Sequence, residues 1–297
     1  MSQLQLNAIL EQNEKNLPPE NATPDELRSW WETAMAQIPV ADVASIERLS
    51  LAGFSAEFLR PHGKYTDNLI IYAHGGGFVI GSSSTHRVIT SYLAQISHSA
   101  VLVPDYRLAP ENTAPAAHDD IFTAYCWALE QGYPARKIAL AGDSAGGNLA
   151  LATAVRAKAE GLPMPGALFL ISPGLDLACE GTSHQEVTDD PFLTPQLLEF
   201  LFQSYVGIGG DLKSSHVTPF YADFSGLPPT LVHVGSWEML RDDSVTVVER
   251  MREAGVDATL QIFDGMPHVW QLFAPILEEG MASLEQGAYF IQKHLHE

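Results

Sequence analysis

The stretch KIALAGDSAGGNLALATA, from Lys137 to Ala154, decides how this chain is read. Its first part, Lys137–Gly142, is apolar as a buried strand requires, and an alanine-rich helical pattern follows. Between them, Gly142-Asp143-Ser144-Ala145-Gly146 matches G-x-S-x-G at a strand-to-helix turn. So tight a turn needs neighbours nearly free of side chain, hence Gly142, Gly146 and Gly147. It would expose the serine oxygen at the end of a strand, beside the next backbone N–H. Three readings compete: Ser144 is a nucleophile, the glycines merely join a strand to a helix, or the loop cradles a phosphate. The last is weakest, because neither G-x-x-x-x-G-K-[ST] nor G-x-G-x-x-G can be placed here.

Outward from this turn, apolar runs alternate with helical patterns. Strands are expected near Ile46–Leu51, Ser55–Arg60, Asn68–Ala73, Ala100–Pro104, Lys137–Gly142, Ala167–Ile171, Thr230–Gly235 and Ala258–Phe263. The later runs are continuously apolar, as parallel strands covered on both faces should be. Helices are expected over Thr85–Ser97, Ala116–Gln131, Gly146–Glu160, Asp242–Ala254 and Ile276–Leu295. Such alternation predicts an α/β fold with a mostly parallel sheet.

Two segments stand outside it. Thr23-Pro24-Asp25-Glu26 is a capping box with proline at the first helical position, followed by an apolar face that includes Leu27, Trp30, Trp31 and Met35. DDPFLTPQLLEFLFQSYVG starts a helix at Thr194-Pro195 and is apolar nearly all round. Its pattern fits ordinary core and a lid over an apolar pocket equally well. On the lid reading, Trp30, Trp31, Phe200, Leu201 and Tyr205 would line the pocket.

Composition narrows the class. The chain has 297 residues, 46% of them hydrophobic, enough for one large core. With 16 Lys and Arg against 36 Asp and Glu, its formal charge of −20 disfavours nucleic acid and anionic membrane surfaces as partners. No apolar run reaches membrane-spanning length and no signal peptide is read at the N-terminus, so the expected location is cytoplasmic. Cys126 and Cys179 do not make a disulfide framework, and Cys126 reads as a small buried hydrophobe.

A second motif, YAHGGGFVIGSSSTHR, puts His74-Gly75-Gly76-Gly77 directly after a strand. Three consecutive glycines add nothing to a core, but their backbone can approach a ligand with free N–H groups. A tetrahedral oxyanion needs such donors fixed in advance, and Gly76, Gly77 and Ala145 are the candidates. His74 is read as ordering the glycine loop. A serine hydroxyl also needs a base. Chain order in this fold class runs Ser, acid, His, so the base follows Ser144. His184 and His216 fall in or beside the lid region, and His233 sits mid-strand as a sheet histidine. His294 and His296 end the last helix as a surface tail rather than a metal pair. His268, in the turn FDGMPHVW after the last strand, is therefore the expected base. For the acid, Glu238 in GSWEMLRDD is preferred, with Asp242 next. Asp242 and Asp243 fall at a helix start, where a cap is sufficient use, and Asp264 belongs to the turn of His268.

Together HGGGFVIGSSSTHR, DYRLAPE (Asp105–Glu111), PAAHDD (Pro115–Asp120), GDSAGG and GMPHVW resemble the hormone-sensitive-lipase-like family of α/β-hydrolases, from about Tyr72 to the C-terminus. The resemblance implies an eight-stranded sheet with helices on both faces and a helical cap. It divides the chain into a cap segment at 1–44, core at 45–179, a cap insertion at 180–215 and core at 216–297. It implies a serine carboxylesterase acting through an acyl-enzyme on short- to medium-chain esters, with no cofactor and no metal. The expected partner is a small-molecule ester, and a homodimer is allowed. The family's usual acid is an Asp in D-x-L-x-D; here Glu238 holds that place. Similar enzymes with this Glu commonly carry Thr before the serine, where this chain has Asp143. Thr113 and Ala114 replace the usual Pro-Phe. SWEMLRDDS and PHVWQLFAPIL look like stretches of monoterpene lactone hydrolases, which keeps a lactone substrate open. Plant gibberellin receptors share the fold as non-catalytic binders but lack the histidine, and His268 is present here.

Overall fold

The computed structural model describes residues 2–19, 22–63, 67–214 and 217–295. In chain order the elements are α1 (Ser2–Lys15), α2 (Pro24–Met35), β1 (Ser45–Leu51), β2 (Phe54–Arg60), β3 (Leu69–Ala73), α3 (Arg87–Ser97), β4 (Ala100–Asp105), α4 (Ala116–Glu130) and β5 (Ile138–Asp143). They continue with α5 (Ala145–Ala159), β6 (Ala167–Ile171), α6 (Ser183–Glu186), α7 (Pro195–Val206), β7 (Thr230–Gly235), α8 (Arg241–Glu253), β8 (Ala258–Phe263) and α9 (Glu278–Leu295). Among the described residues the strands form one eight-stranded sheet in the order β1-β2-β4-β3-β5-β6-β7-β8. β1 and β2 pair antiparallel, as do β2 and β4, and every other pairing is parallel. Each expected strand is found within a residue or so of its place. β8 differs in burial: it is the edge strand of the parallel side and its side chains are largely part-exposed, so β3 to β7 carry the nearly continuous burial expected of covered strands.

Alternation along each strand separates two cores. Ile71, Leu140 and Leu168 pack with Tyr125 of α4, Leu151 of α5 and Val247 of α8. Their neighbours Ile70, Ala139 and Phe169 face the other way, onto Leu93 of α3 and Ile291 of α9. A third cluster joins Phe78, Val79 and Ala145 to Leu198, Leu201, Phe202 and Tyr205 of α7 and to Met239 and Leu240. It gathers the segments that follow β3, β5 and β7. Helix starts follow the sequence: Thr23 and Glu26 cap each other, and Thr194 Oγ1 accepts the Leu197 N–H at 3.1 Å. Helix α1 was not anticipated. It docks through Leu6 and Ile9 onto Met266, Trp270 and Leu277, the segment that carries His268. No helix among the described residues is long and apolar enough to cross a membrane.

Candidate active site

Ser144 stands between β5 and α5 with φ 53° and ψ −122°. A positive φ on a non-glycine residue is strained by about 1–3 kcal/mol and persists only where its surroundings impose it. Here close packing does so. A Cβ at Gly146 would overlap the Ala73 carbonyl oxygen, so β3 and α5 meet only because that position lacks a side chain.

The turn brings distant groups together. His268 Nε2 lies 3.0 Å from Ser144 Oγ, and His268 Nδ1 lies 2.9 Å from Glu238 Oε2. Glu238 is fully buried. Its other oxygen accepts the Ser172 hydroxyl at 2.9 Å and the Gly235 N–H. Ser172 in turn accepts the Val269 N–H at 3.3 Å, which ties the acid to the histidine loop. Burial opposes a charged imidazole at His268, but the Glu238 carboxylate outweighs it and holds the ring above its ordinary value.

The rival acids are engaged elsewhere. Asp242 lies in the first turn of α8 rather than at its cap, and accepts the Ser183 N–H at 2.9 Å. Asp243 accepts the Leu175 and Asp176 N–H groups and pairs with His184. Asp264 takes the Ser236 hydroxyl at 3.2 Å. Of the other histidines, His233 Nδ1 is hydrogen-bonded to Ser283 Oγ at 2.8 Å and His294 packs against Phe290. His216 and His296 lie outside the described residues.

The glycine loop faces the same turn. Among the described residues the Gly76 and Gly77 N–H groups have no acceptor. Ala145 is the first residue of α5, so its N–H is one of the helix-end donors without an intrahelical partner. His74 stacks on Tyr106 at 4.1 Å, and its Nδ1 is 2.8 Å from the Gly75 carbonyl. Since a carbonyl only accepts, Nδ1 carries the hydrogen. Burial, then the nearby His86, bring His74 down to about 4, so it is neutral and orders the loop.

Asp143, the unusual neighbour of the serine, turns out to hold this loop. Its carboxylate accepts the Tyr72 hydroxyl at 2.7 Å and the Gly75 N–H at 3.0 Å, and pairs with His86 at 3.3 Å. Burial works against the charge, but His86 and the Tyr72 bond prevail and keep the carboxyl below its ordinary range. Sequence reading missed this role, and that of Ser172; the pairing of Asp143 with a three-glycine loop was the available signal.

The five expected pocket residues divide. Leu201 lies against the loop, with its δ carbons 2.6 and 2.8 Å from where a Gly77 Cβ would sit. Tyr205 is fully buried, stacks on Phe78 at 4.1 Å and is hydrogen-bonded through its hydroxyl to His118 Nδ1 at 2.6 Å. Phe200 is 43% exposed on α7 and is not among the side chains clustered with Leu201 and Tyr205. Trp31 packs against the core of α3 and α9, and Trp30 gives its indole N–H to the Asn16 carbonyl. The apolar face of α2 is thus used to dock the N-terminal helices, and the two tryptophans do not join Leu201 and Tyr205.

A family model described as alpha/beta hydrolase fold matches residues 70–272. A crystallised esterase from the bacterial hormone-sensitive lipase family superposes with a TM-score of 0.94 at 39% identity, covering 98% of each chain. The chain belongs to the hormone-sensitive-lipase-like α/β-hydrolases. An acetyl-hydrolase of Streptomyces hygroscopicus is 36% identical over 256 residues, 86% of this chain and 83% of the relative. An esterase of Acinetobacter venetianus is 35% identical over 271 residues, 91% of this chain and 89% of that protein. This family member is a carboxylesterase.

Proposed function

We propose that this carboxylesterase hydrolyses short- to medium-chain esters through a covalent acyl-enzyme on Ser144. The observation that carries the reading is His268, placed between the serine oxygen and a buried glutamate. His268 takes the Oγ proton as the oxygen attacks the ester carbonyl. Glu238 keeps the imidazole in the right tautomer and stabilises its charged form without taking the proton. The Gly76, Gly77 and Ala145 N–H groups hold the oxyanion, each such donor contributing about 10²–10³ in rate. His268 then protonates the leaving alkoxide, and afterwards activates the water that releases the acid.

The segments 180–215 and 1–44 are read as the cap that the resemblance implies. The closeness of Leu201 to Gly77 supports a short acyl limit, since α7 leaves little room above the glycine loop. The acetyl-hydrolase relative fits the same limit. Ser144→Ala tests the mechanism: kcat for p-nitrophenyl butyrate falls by about 10⁴-fold or more while the circular dichroism spectrum and urea midpoint are kept. A folded variant with undiminished turnover would end the reading.

A further inference from the structure

Glu238 is held at two levels. Ser172 and the Gly235 N–H fix its carboxylate, and a separate set of contacts fixes its backbone. Both peptide groups of Met239, the next residue, are bonded by the segment between β6 and α7. Asp190 Oδ2 accepts the Met239 N–H at 2.9 Å, and the Ser183 hydroxyl donates to the Met239 carbonyl at 2.6 Å. Ser183 Oγ also accepts the Asp242 N–H at 3.0 Å, so one hydroxyl spans the turn that leads into α8. Both side chains are buried.

Asp190 is itself fixed, because its Oδ1 accepts the Phe192 N–H at 2.9 Å and the Leu193 N–H at 3.0 Å. Leu193 packs in the apolar cluster that contains Met239 and Leu240. Phe192 stacks on Phe273, shortly after His268, with 6.0 Å between ring centroids. The segment therefore touches the loop of the acid and the loop of the histidine. A buried N–H deprived of its acceptor is costly, so the Met239 peptide stays where Asp190 places it. The charge of Asp190 acts in the same direction. The charged groups facing His268 are Glu238, then Asp190 and Asp143, and each favours a protonated imidazole.

We propose that Asp190 and Ser183 are positioning residues for ester hydrolysis, clamping the peptide after Glu238 so that its carboxylate stays in line with His268 Nδ1. The inference rests on Glu238 being the acid of the mechanism proposed above. Both side chains act through Glu238 and His268 rather than on the reacting atoms. A displacement of about 1 Å in such a site costs on the order of 10²-fold in rate.

Asp190→Asn is the test, compared with wild type and Glu238→Gln by circular dichroism, by kcat and KM for p-nitrophenyl butyrate, and by the pH profile of kcat/KM. The amide keeps an oxygen for the Phe192 and Leu193 N–H groups, but it turns a donor toward Met239 and removes the charge. The folded variant is expected to lose about tenfold in kcat with KM nearly unchanged, and its acidic limb to move to lower pH. Wild-type kcat or an unmoved limb in that folded variant overturns the proposal, while an impaired Glu238→Gln leaves the mechanism standing. A fully active Glu238→Gln would instead end the mechanism on which the clamp rests. Should Asp190→Asn fail to fold, Ser183→Ala decides: a loss of about threefold or more in kcat is expected, and wild-type kcat overturns the clamp. Failure of both variants to fold assigns these contacts to stability alone and likewise overturns it.

Discussion

At the scale of single residues, the site depends on which carboxylate reaches the imidazole. Glu238 Oε2 lies 2.9 Å from His268 Nδ1, and Ser172 and the Gly235 N–H prevent the carboxylate from turning away. The charge raises the pKa of His268. A protonated His268 cannot accept the serine proton, so kcat/KM should fall on acidification around a midpoint above the ordinary imidazole value. Glu238→Gln removes the charge while keeping most of the shape. The expected result is a loss of roughly 10³-fold or more in kcat, with the acidic limb moved to lower pH. A pH–rate profile with an unmoved limb would show that another group sets the titration. Asp143 acts at the same scale by a different route: its carboxylate ties the Gly75 N–H to the strand that presents Ser144.

At the scale of elements, α7 matters because it rests on the glycine loop. Gly77 has φ 60° and Leu201 fills the space where a side chain would begin, so helix and loop fit only with glycine there. The Tyr205–His118 bond anchors α7 to α4, and His118 Nε2 continues to Asn148 of α5 at 3.1 Å. Helix α7 is therefore held to the two helices beneath it. Leu201→Ala removes apolar bulk beside Gly77 without touching that anchor. It should raise the kcat/KM ratio of octanoate to butyrate p-nitrophenyl esters by about tenfold, since each methylene in an apolar pocket contributes ~1–3 kcal/mol. An unchanged ratio would remove Leu201 from the control of acyl length.

At the scale of the whole molecule, the sheet is stabilised by side chains that must stay neutral. Burial brings His233 in β7 down to about 3 and His74 after β3 to about 4, both from 6.5. Folded-state values below the unfolded one mean that the unfolded chain takes up more protons on acidification. The stability is complete above the unfolded value and erodes as pH falls toward 4 and then 3. Urea midpoints should fall between about pH 7 and about pH 5, and His233→Leu should flatten that dependence. A His233→Leu chain with the wild-type slope would place the loss elsewhere.

Strand positions were legible because each is an apolar run bounded by turn residues. That Ser144, His268 and Glu238 come together was legible because the proposed chemistry requires particular residue types in a particular chain order. The sheet order was implied only through resemblance, since crossovers between strands leave no local period. Helix α1 was not legible: its apolar residues make a weak face, stabilised by docking Leu6 and Ile9 onto Met266 and Trp270. The same limit applies to Asp143 with Gly75, Ser172 with Glu238, and Asp243 with His184, pairs separated by 59 to 68 positions. It also misplaced Trp30, Trp31 and Phe200, because helical spacing marks an apolar face without saying what covers it. Sequence alone determined the strands, most of the helices and the candidate reacting groups, which follow from local periodicity and residue chemistry. Tertiary structure decided which carboxylate serves which partner and which apolar face meets the loop, because those contacts form only when distant segments pack.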